Sequence, residues 1–210
     1  MTLEDKKARL YQALTASGAA EESLSALDVL LGLYYNVLTV MPDQPDLSWR
    51  DRVYVSRGPL CPAFLSVLAE RGYFPAEALS PETLKRPAEL PGAEGICEKA
   101  AEDAVNDALE CAEIGADYQV FALLLDDECE KGHVWESALK ASAKDLGKLC
   151  FILFHDRTRG RAAGPGSICS KFAAFGFATC TVDSRDVGGL SLALPALMGK
   201  DKPVFLCCEI

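Results

Sequence analysis

Basic charge is in short supply in this chain. Its 210 residues carry 21 Lys and Arg against 31 Asp and Glu, a net charge of −10, and no basic cluster interrupts the acidity. Nothing offsets phosphate repulsion, which argues against a nucleic-acid or anionic-membrane partner. Long hydrophobic runs are missing too. The most apolar stretch, ALDVLLGLYYNVL, is interrupted by Asp28 and is too short to span a bilayer. The N-terminal MTLEDKKARLYQAL lacks the apolar core of a signal peptide, so a cytoplasmic protein is expected. No CxxC pair occurs among the nine cysteines, and their number is odd. That argues against a zinc site or a disulfide framework and for reduced, mostly buried thiols. Histidine is limited to His133 and His155. No internal repeat or low-complexity tract is present.

What is there is globular: half the residues are hydrophobic and a quarter charged. The length suits one domain with a real core, taken as 1–210. Residues 1 to about 115 read as a helical and loop portion. Leu3 to Leu14 has helical spacing, Ser23 and Ser25 are candidate N-caps for a helix to about Val40, and the run RVYVS sits in a Pro-punctuated loop. Pro62 opens a helix that Gly72 stops, SPETLKRPAELPGAEG is a Pro-rich loop, and a helix covers about Cys97 to Ile114.

From about 116 to 210 the rhythm changes to βα units. YQVFALLLD, KLCFILFHD, FATCTVD and PVFLCCEI are short apolar runs separated by helical segments. The expected fold class is α/β, a mainly parallel sheet with helices on both faces. Strands are expected at Val120–Leu125, Leu149–Phe154, Ala178–Val182 and Val204–Cys208. In such sheets sites form outside the carboxyl ends of the strands, where Asp126, Asp156 and Asp183 would stand. Each could simply cap the next element. Two carboxylates together could instead hold a hard cation such as Mg²⁺.

In order along the chain, several stretches resemble the N-terminal, diphosphate-binding half of transketolases. SLSALDVLLGLYYNVL resembles the family's early helix, and DLSWRDRVYVSRG its "RDRF-L-SKGH" stretch, followed by AFLSVLAERGYFP. DDECEKGHVWESALKASAKDLGKLCFILFHD resembles "GDGE-EG-VWEA" and the strand that ends in an Asn. FAAFGFATCTVDSRD resembles "FGW-V-EVDGHD", and KPVFLCCEI the last strand. The resemblance implies the thiamine-diphosphate-binding fold, with Mg²⁺ on Asp126 and Asp156. It implies cofactor contacts at Asp126, Asp127, Gly95, Ser56 and Gly58, and assigns no catalytic residue.

The motifs have also diverged. The GDG turn reads Leu125-Asp126-Asp127, the Asn is Asp156, the histidine of SKGH is Pro59, and that of the early GH-GG element is Ala19. The glycine-rich GSLGQG segment reads GICEKA, Gly95 to Ala100. Lost histidines remove donors, lost glycines hinder close backbone approach, and added carboxylates repel a diphosphate. In this family the pyrimidine-binding domain follows the diphosphate domain, so the chain is expected to need a C-terminal-type subunit or a second copy of itself. The early helix would then lie near the interface, and a phosphorylated sugar would be the substrate. Three readings stay open: one half of a split ketol transferase with an impaired cofactor site, a non-catalytic scaffold or regulatory paralogue, and a cation-dependent domain for another phosphate ligand.

Overall fold

The computed structural model describes residues 2–80, 83, 86–156 and 167–210; the structural statements below concern these. Of the Pro-rich loop, residues 81, 82, 84 and 85 lie outside them.

Six strands form one all-parallel sheet in the order β2-β1-β3-β4-β6-β5. They are β1 (Arg52–Ser56), β2 (Ile96–Cys97), β3 (Val120–Leu125), β4 (Leu149–His155), β5 (Ala178–Asp183) and β6 (Val204–Glu209). The α-helices are α1 (Leu3–Ala16), α2 (Glu21–Gly32), α3 (Cys61–Arg71), α4 (Ala100–Ile114), α5 (Gly132–Ala143), α6 (Ile168–Ala174) and α7 (Val187–Leu197).

Alternation along the strands divides the core. Phe121, Leu123, Cys150, Ile152, Phe154, Val204, Leu206 and Cys208 join the layer of α1, α2, α3 and α7. Val120, Ala122, Leu124, Leu149, Phe151, Leu153, Phe205 and Cys207 join the layer of α4, α5 and α6. This explains the continuous apolar runs: β3, β4 and β6 are covered on both faces. Vicinal Cys207 and Cys208 fall in opposite layers. In the second layer Phe172 stacks on Phe205 at 3.8 Å between centroids and on Trp135 at 5.0 Å. A buried aromatic of this kind contributes about 1.5–3 kcal/mol through area alone.

Local chemistry accounts for most helix ends. Thr2 and Asp5 form a capping box on α1, Pro62 sits in the first turn of α3, and Gly72 closes that helix at φ 90°. Two sequence expectations need correction. RVYVS is strand β1 and not part of a loop, because Arg52–Val55 pairs with Val120–Leu123. The second helix starts at Glu21 without a side-chain cap and ends in a π-helical turn, Leu33–Val37. Ser23 is buried within it and donates to the Pro59 carbonyl while accepting from the Ala63 N–H, so it ties α2 to α3. The Arg50-Asp51-Arg52 cluster is a structural tie: Asp51 accepts from the N–H groups of Thr39 and Gln119, both at 2.7 Å. No helix among the described residues is long and apolar enough to cross a membrane.

Candidate functional site

The chain runs from β1 to β2 on one side of the sheet and then to β3 on the other. The carboxyl edge near β1 and β3 is therefore a topological switch point, the usual location of a ligand crevice. Parallel register brings the tips of β3 and β4 together: Leu125 pairs with Phe154, so Asp126, His155 and Asp156 follow side by side.

Asp126 does not cap the next turn. Its Oδ1 accepts from His155 Nδ1 at 2.7 Å, and its Oδ2 accepts the backbone N–H of Asp156 at 2.8 Å. With Asp126 as a carboxylate, which only accepts, His155 Nδ1 is the donor of this bond. Both side chains are about a quarter exposed, 25% for Asp126 and 29% for His155. The structure thus brings Asp126 and Asp156 together through a main-chain bond, and adds His155. Asp127 is exposed and sits at φ −69°, ψ −19° at the head of a short 3₁₀ turn, Glu128–Glu130. Any L-residue adopts that conformation, so Asp replaces the family glycine there without backbone strain.

One step toward β1 the edge is closed. Glu128 is 5% exposed. Its Oε1 accepts from the Ser56 hydroxyl, and its Oε2 accepts the Leu125 N–H at 3.0 Å. Ser56 Oγ in turn accepts the N–H of Ala100, the first residue of α4, at 3.2 Å. A carboxylate of the chain therefore fills the switch point. Burial pushes the Glu128 carboxyl above its ordinary value, against the lowering effect of the bonds from Ser56 and Leu125.

The remaining expected contacts are placed differently. Gly95 precedes β2, and its carbonyl accepts the Val55 N–H at 2.9 Å. A Cβ on it would lie 2.0 Å from the Val53 carbonyl oxygen, so the glycine serves strand-to-strand approach. Gly58 is exposed and its carbonyl accepts the Cys61 N–H that opens α3. Asp183 stands at the same edge, but β6 separates its strand from β4; its carboxylate accepts the Arg185 N–H at 2.9 Å. The cationic groups beside β1 and α4 face acids of their own: Arg57 pairs with Glu98 at 3.1 Å and Lys99 with Glu102 at 2.9 Å. Among the described residues no group of three or more His, Cys, Asp or Glu converges as a metal site would. Sequence reasoning misses the Ser56–Glu128 pair and the His155 bond to Asp126. The available signal is a polar side chain at the tip of each of the strand runs β1, β3 and β4.

Comparison with known proteins places this geometry. No protein-family model matches the chain. It is 29% identical over 184 residues, 78% of the chain, to the 6-deoxy-6-sulfo-D-fructose transketolase subunit of Clostridium sp. strain MSTE9, covering 66% of that protein. It is 29% identical over 153 residues, 67% of the chain, to one of the apulose-4-phosphate transketolase subunits of Phocaeicola vulgatus, covering 53% of it. The chain thus spans about two thirds or less of these two relatives. The crystal structure of a Pichia stipitis transketolase variant with fructose-6-phosphate superposes with a TM-score of 0.80 over 99% of the chain and 35% of the enzyme, at 19% identity. The chain is similar in sequence to transketolase subunits and has the thiamine-diphosphate-binding fold of the solved transketolase.

Proposed function

We propose that residues 1–210 form one diphosphate-type domain, acting as one half of a two-polypeptide, thiamine-diphosphate-dependent ketol transferase, and that its cofactor edge is impaired. The names of the relatives, each a transketolase subunit, support the split arrangement. The pyrimidine-binding part would come from a C-terminal-type subunit, and the chain would assemble with that subunit or as a homodimer. The substrate class is a phosphorylated sugar.

The observation that carries the impairment is the state of Asp126. A cation holding the diphosphate would use Asp126 and Asp156, yet both oxygens of Asp126 already accept from His155 and the Asp156 N–H. Ser56 is engaged by Glu128, Asp127 sets a carboxylate where the family has a glycine, and Gly95 serves the sheet. Thiamine diphosphate supplies carbanion stabilisation to such enzymes when bound. As arranged, this edge does not fit it well. Were it to bind, Mg²⁺ would fall to Asp126 and Asp156, with Asp127, Ser56 and Gly58 around the diphosphate.

Titration calorimetry with thiamine diphosphate and Mg²⁺ tests this. Weak binding to the chain alone, rising when a pyrimidine-domain subunit is added, is the expected result. Tight binding without a partner overturns the impaired edge. The same internal carboxylates favour a second reading, a non-catalytic scaffold or regulatory paralogue. A stable complex with that subunit that transfers no ketol unit from any ketose phosphate would select it.

A further inference from the structure

Away from Asp126, two thiols meet over the second layer of the sheet. Thr181 of β5 and Cys207 of β6 are register partners, so their side chains share one face. Cys169, the second residue of α6, lies over that pair: its Sγ is 3.4 Å from Thr181 Oγ1, and it packs against the core layer that holds Cys207. Cys169 is half-buried and reachable, whereas Cys207 is 2% exposed. The fold needs neither thiol for chain crossing or capping; α6 is capped by Ser167.

We propose that Cys169 and Cys207 are a hydroperoxide-sensitive dithiol that closes to a disulfide joining α6 to β6. The charged and titratable groups around Cys169 support the assignment of the attacking sulfur. The hydrogen bond from Cys207 holds the Cys169 thiol down to about 6, helped by Thr181 and by His155 of β4, against burial and Glu209 of β6. The same bond and burial push Cys207 up. A thiol held low beside one pushed up is the pairing of an attacking and a resolving cysteine.

The chemistry balances with a hydroperoxide as oxidant. The Cys169 thiolate attacks one peroxide oxygen; the S–O bond forms, the O–O bond breaks, and the hydroxide leaves as water after taking a proton. The Cys207 sulfur then attacks the sulfenic sulfur; the S–S bond forms, the S–O bond breaks, and a second water carries away the Cys207 proton. Two thiols are oxidised and one peroxide is reduced to two waters. Cys169 contacts Thr181 and Cys207 is the register partner of Thr181, so the two thiols start from neighbouring positions.

The test is a titration of the reduced chain with hydrogen peroxide at neutral pH, followed by thiol blocking and non-reducing peptide mass spectrometry. A Cys169–Cys207 cross-link should form before the other half-buried thiols, Cys61, Cys97 and Cys180, are modified. In Cys207→Ala the cross-link should vanish and a dimedone-reactive sulfenic acid should persist on Cys169. Should that variant not fold, Cys169→Ser at its more exposed position should slow iodoacetamide labelling of the fastest thiol at pH 7 at least tenfold. Oxidation spread evenly over the half-buried thiols, or Cys169 passing to sulfinic acid without a cross-link, overturns the proposal, as does an unchanged labelling rate in Cys169→Ser.

Discussion

Two neighbouring gaps at the same sheet edge are treated in opposite ways. Between β1 and β3, Glu128 is buried and its carboxylate takes a strand-tip N–H and a serine hydroxyl that itself receives the first N–H of α4. Between β3 and β4, Asp126 bonds His155 and the Asp156 N–H but stays a quarter exposed. The first gap is closed by the chain's own anion. The second has a pre-oriented carboxylate that water, and hence a solute, can reach. Acidity alone therefore does not define a ligand edge: both carboxylates take donors from their own fold, and what separates them is that only Asp126 stays within reach of water.

The sharpest way to break this contrast is to delete each carboxylate. Glu128→Ala leaves the Leu125 N–H and Ser56 hydroxyl buried without a partner and should cost about 2 kcal/mol. Asp126→Ala, whose partners can turn to water, should cost about 1 kcal/mol at most. Urea denaturation of both variants measures the difference; equal losses would mean that the two gaps are alike.

The pH profile gives a second handle on the closed gap. The folded-state value of Glu128 is raised above the ordinary 4.5, so the folded state holds its proton more tightly than the unfolded chain. Its contribution is fully present below 4.5 and is lost as pH rises through the raised value. Glu128→Gln, which cannot ionise, should flatten the stability profile above pH 4.5, read from melting temperatures across that window. A profile identical to that of the parent would assign the slope to other groups.

How legible these features are in the sequence follows from how far each one reaches. Strands β3, β4, β5 and β6 can be placed within one residue because burial on both faces, or pairing beside such strands, writes continuous apolarity locally. Strand β1 escapes because Arg52 and Ser56 bracket only three less polar residues, and β2 because it has two residues. Asp126 stands out by its position at a strand tip. The sealing by Glu128 is not legible, since its partner Ser56 is 72 residues away and only the register of β1 against β3 brings them together. The packing demand at Gly95 is hidden for the same reason: a Cβ there would meet the Val53 carbonyl, which the register of β1 against β2 brings close.

The open gap can be sharpened by removing charge around Asp126. Asp127→Gly combined with Asp156→Asn restores the family residues at two positions. Asp127 has ordinary dihedrals, so Gly adds only backbone entropy, about 1 kcal/mol or less. Two fewer negative charges beside a diphosphate should tighten thiamine diphosphate binding in Mg²⁺ by about tenfold, about 1.4 kcal/mol. Calorimetry on parent and double variant measures it. No gain would place the obstacle in the missing histidine positions, Ala19 and Pro59, and not in the charge.

The smallest expected effect is that of a divalent cation alone. At the open gap a cation meets one oriented carboxylate, Asp126, with Asp156 beside it, so its affinity should be low. At ten times its dissociation constant, selective binding to the folded state adds about 1.4 kcal/mol, which for a chain of this size raises the melting temperature by about 3 °C. The closed gap offers no such response, because Glu128 is already satisfied by its own donors. Mg²⁺ or Ca²⁺ should therefore raise the melting temperature of the parent and of Glu128→Gln alike, and leave Asp126→Ala unmoved. A rise that survives Asp126→Ala would move the cation elsewhere on this acidic surface. A melting curve indifferent to both ions would make Asp126 a purely structural link between the tips of β3 and β4, and would favour the scaffold over the transferase reading.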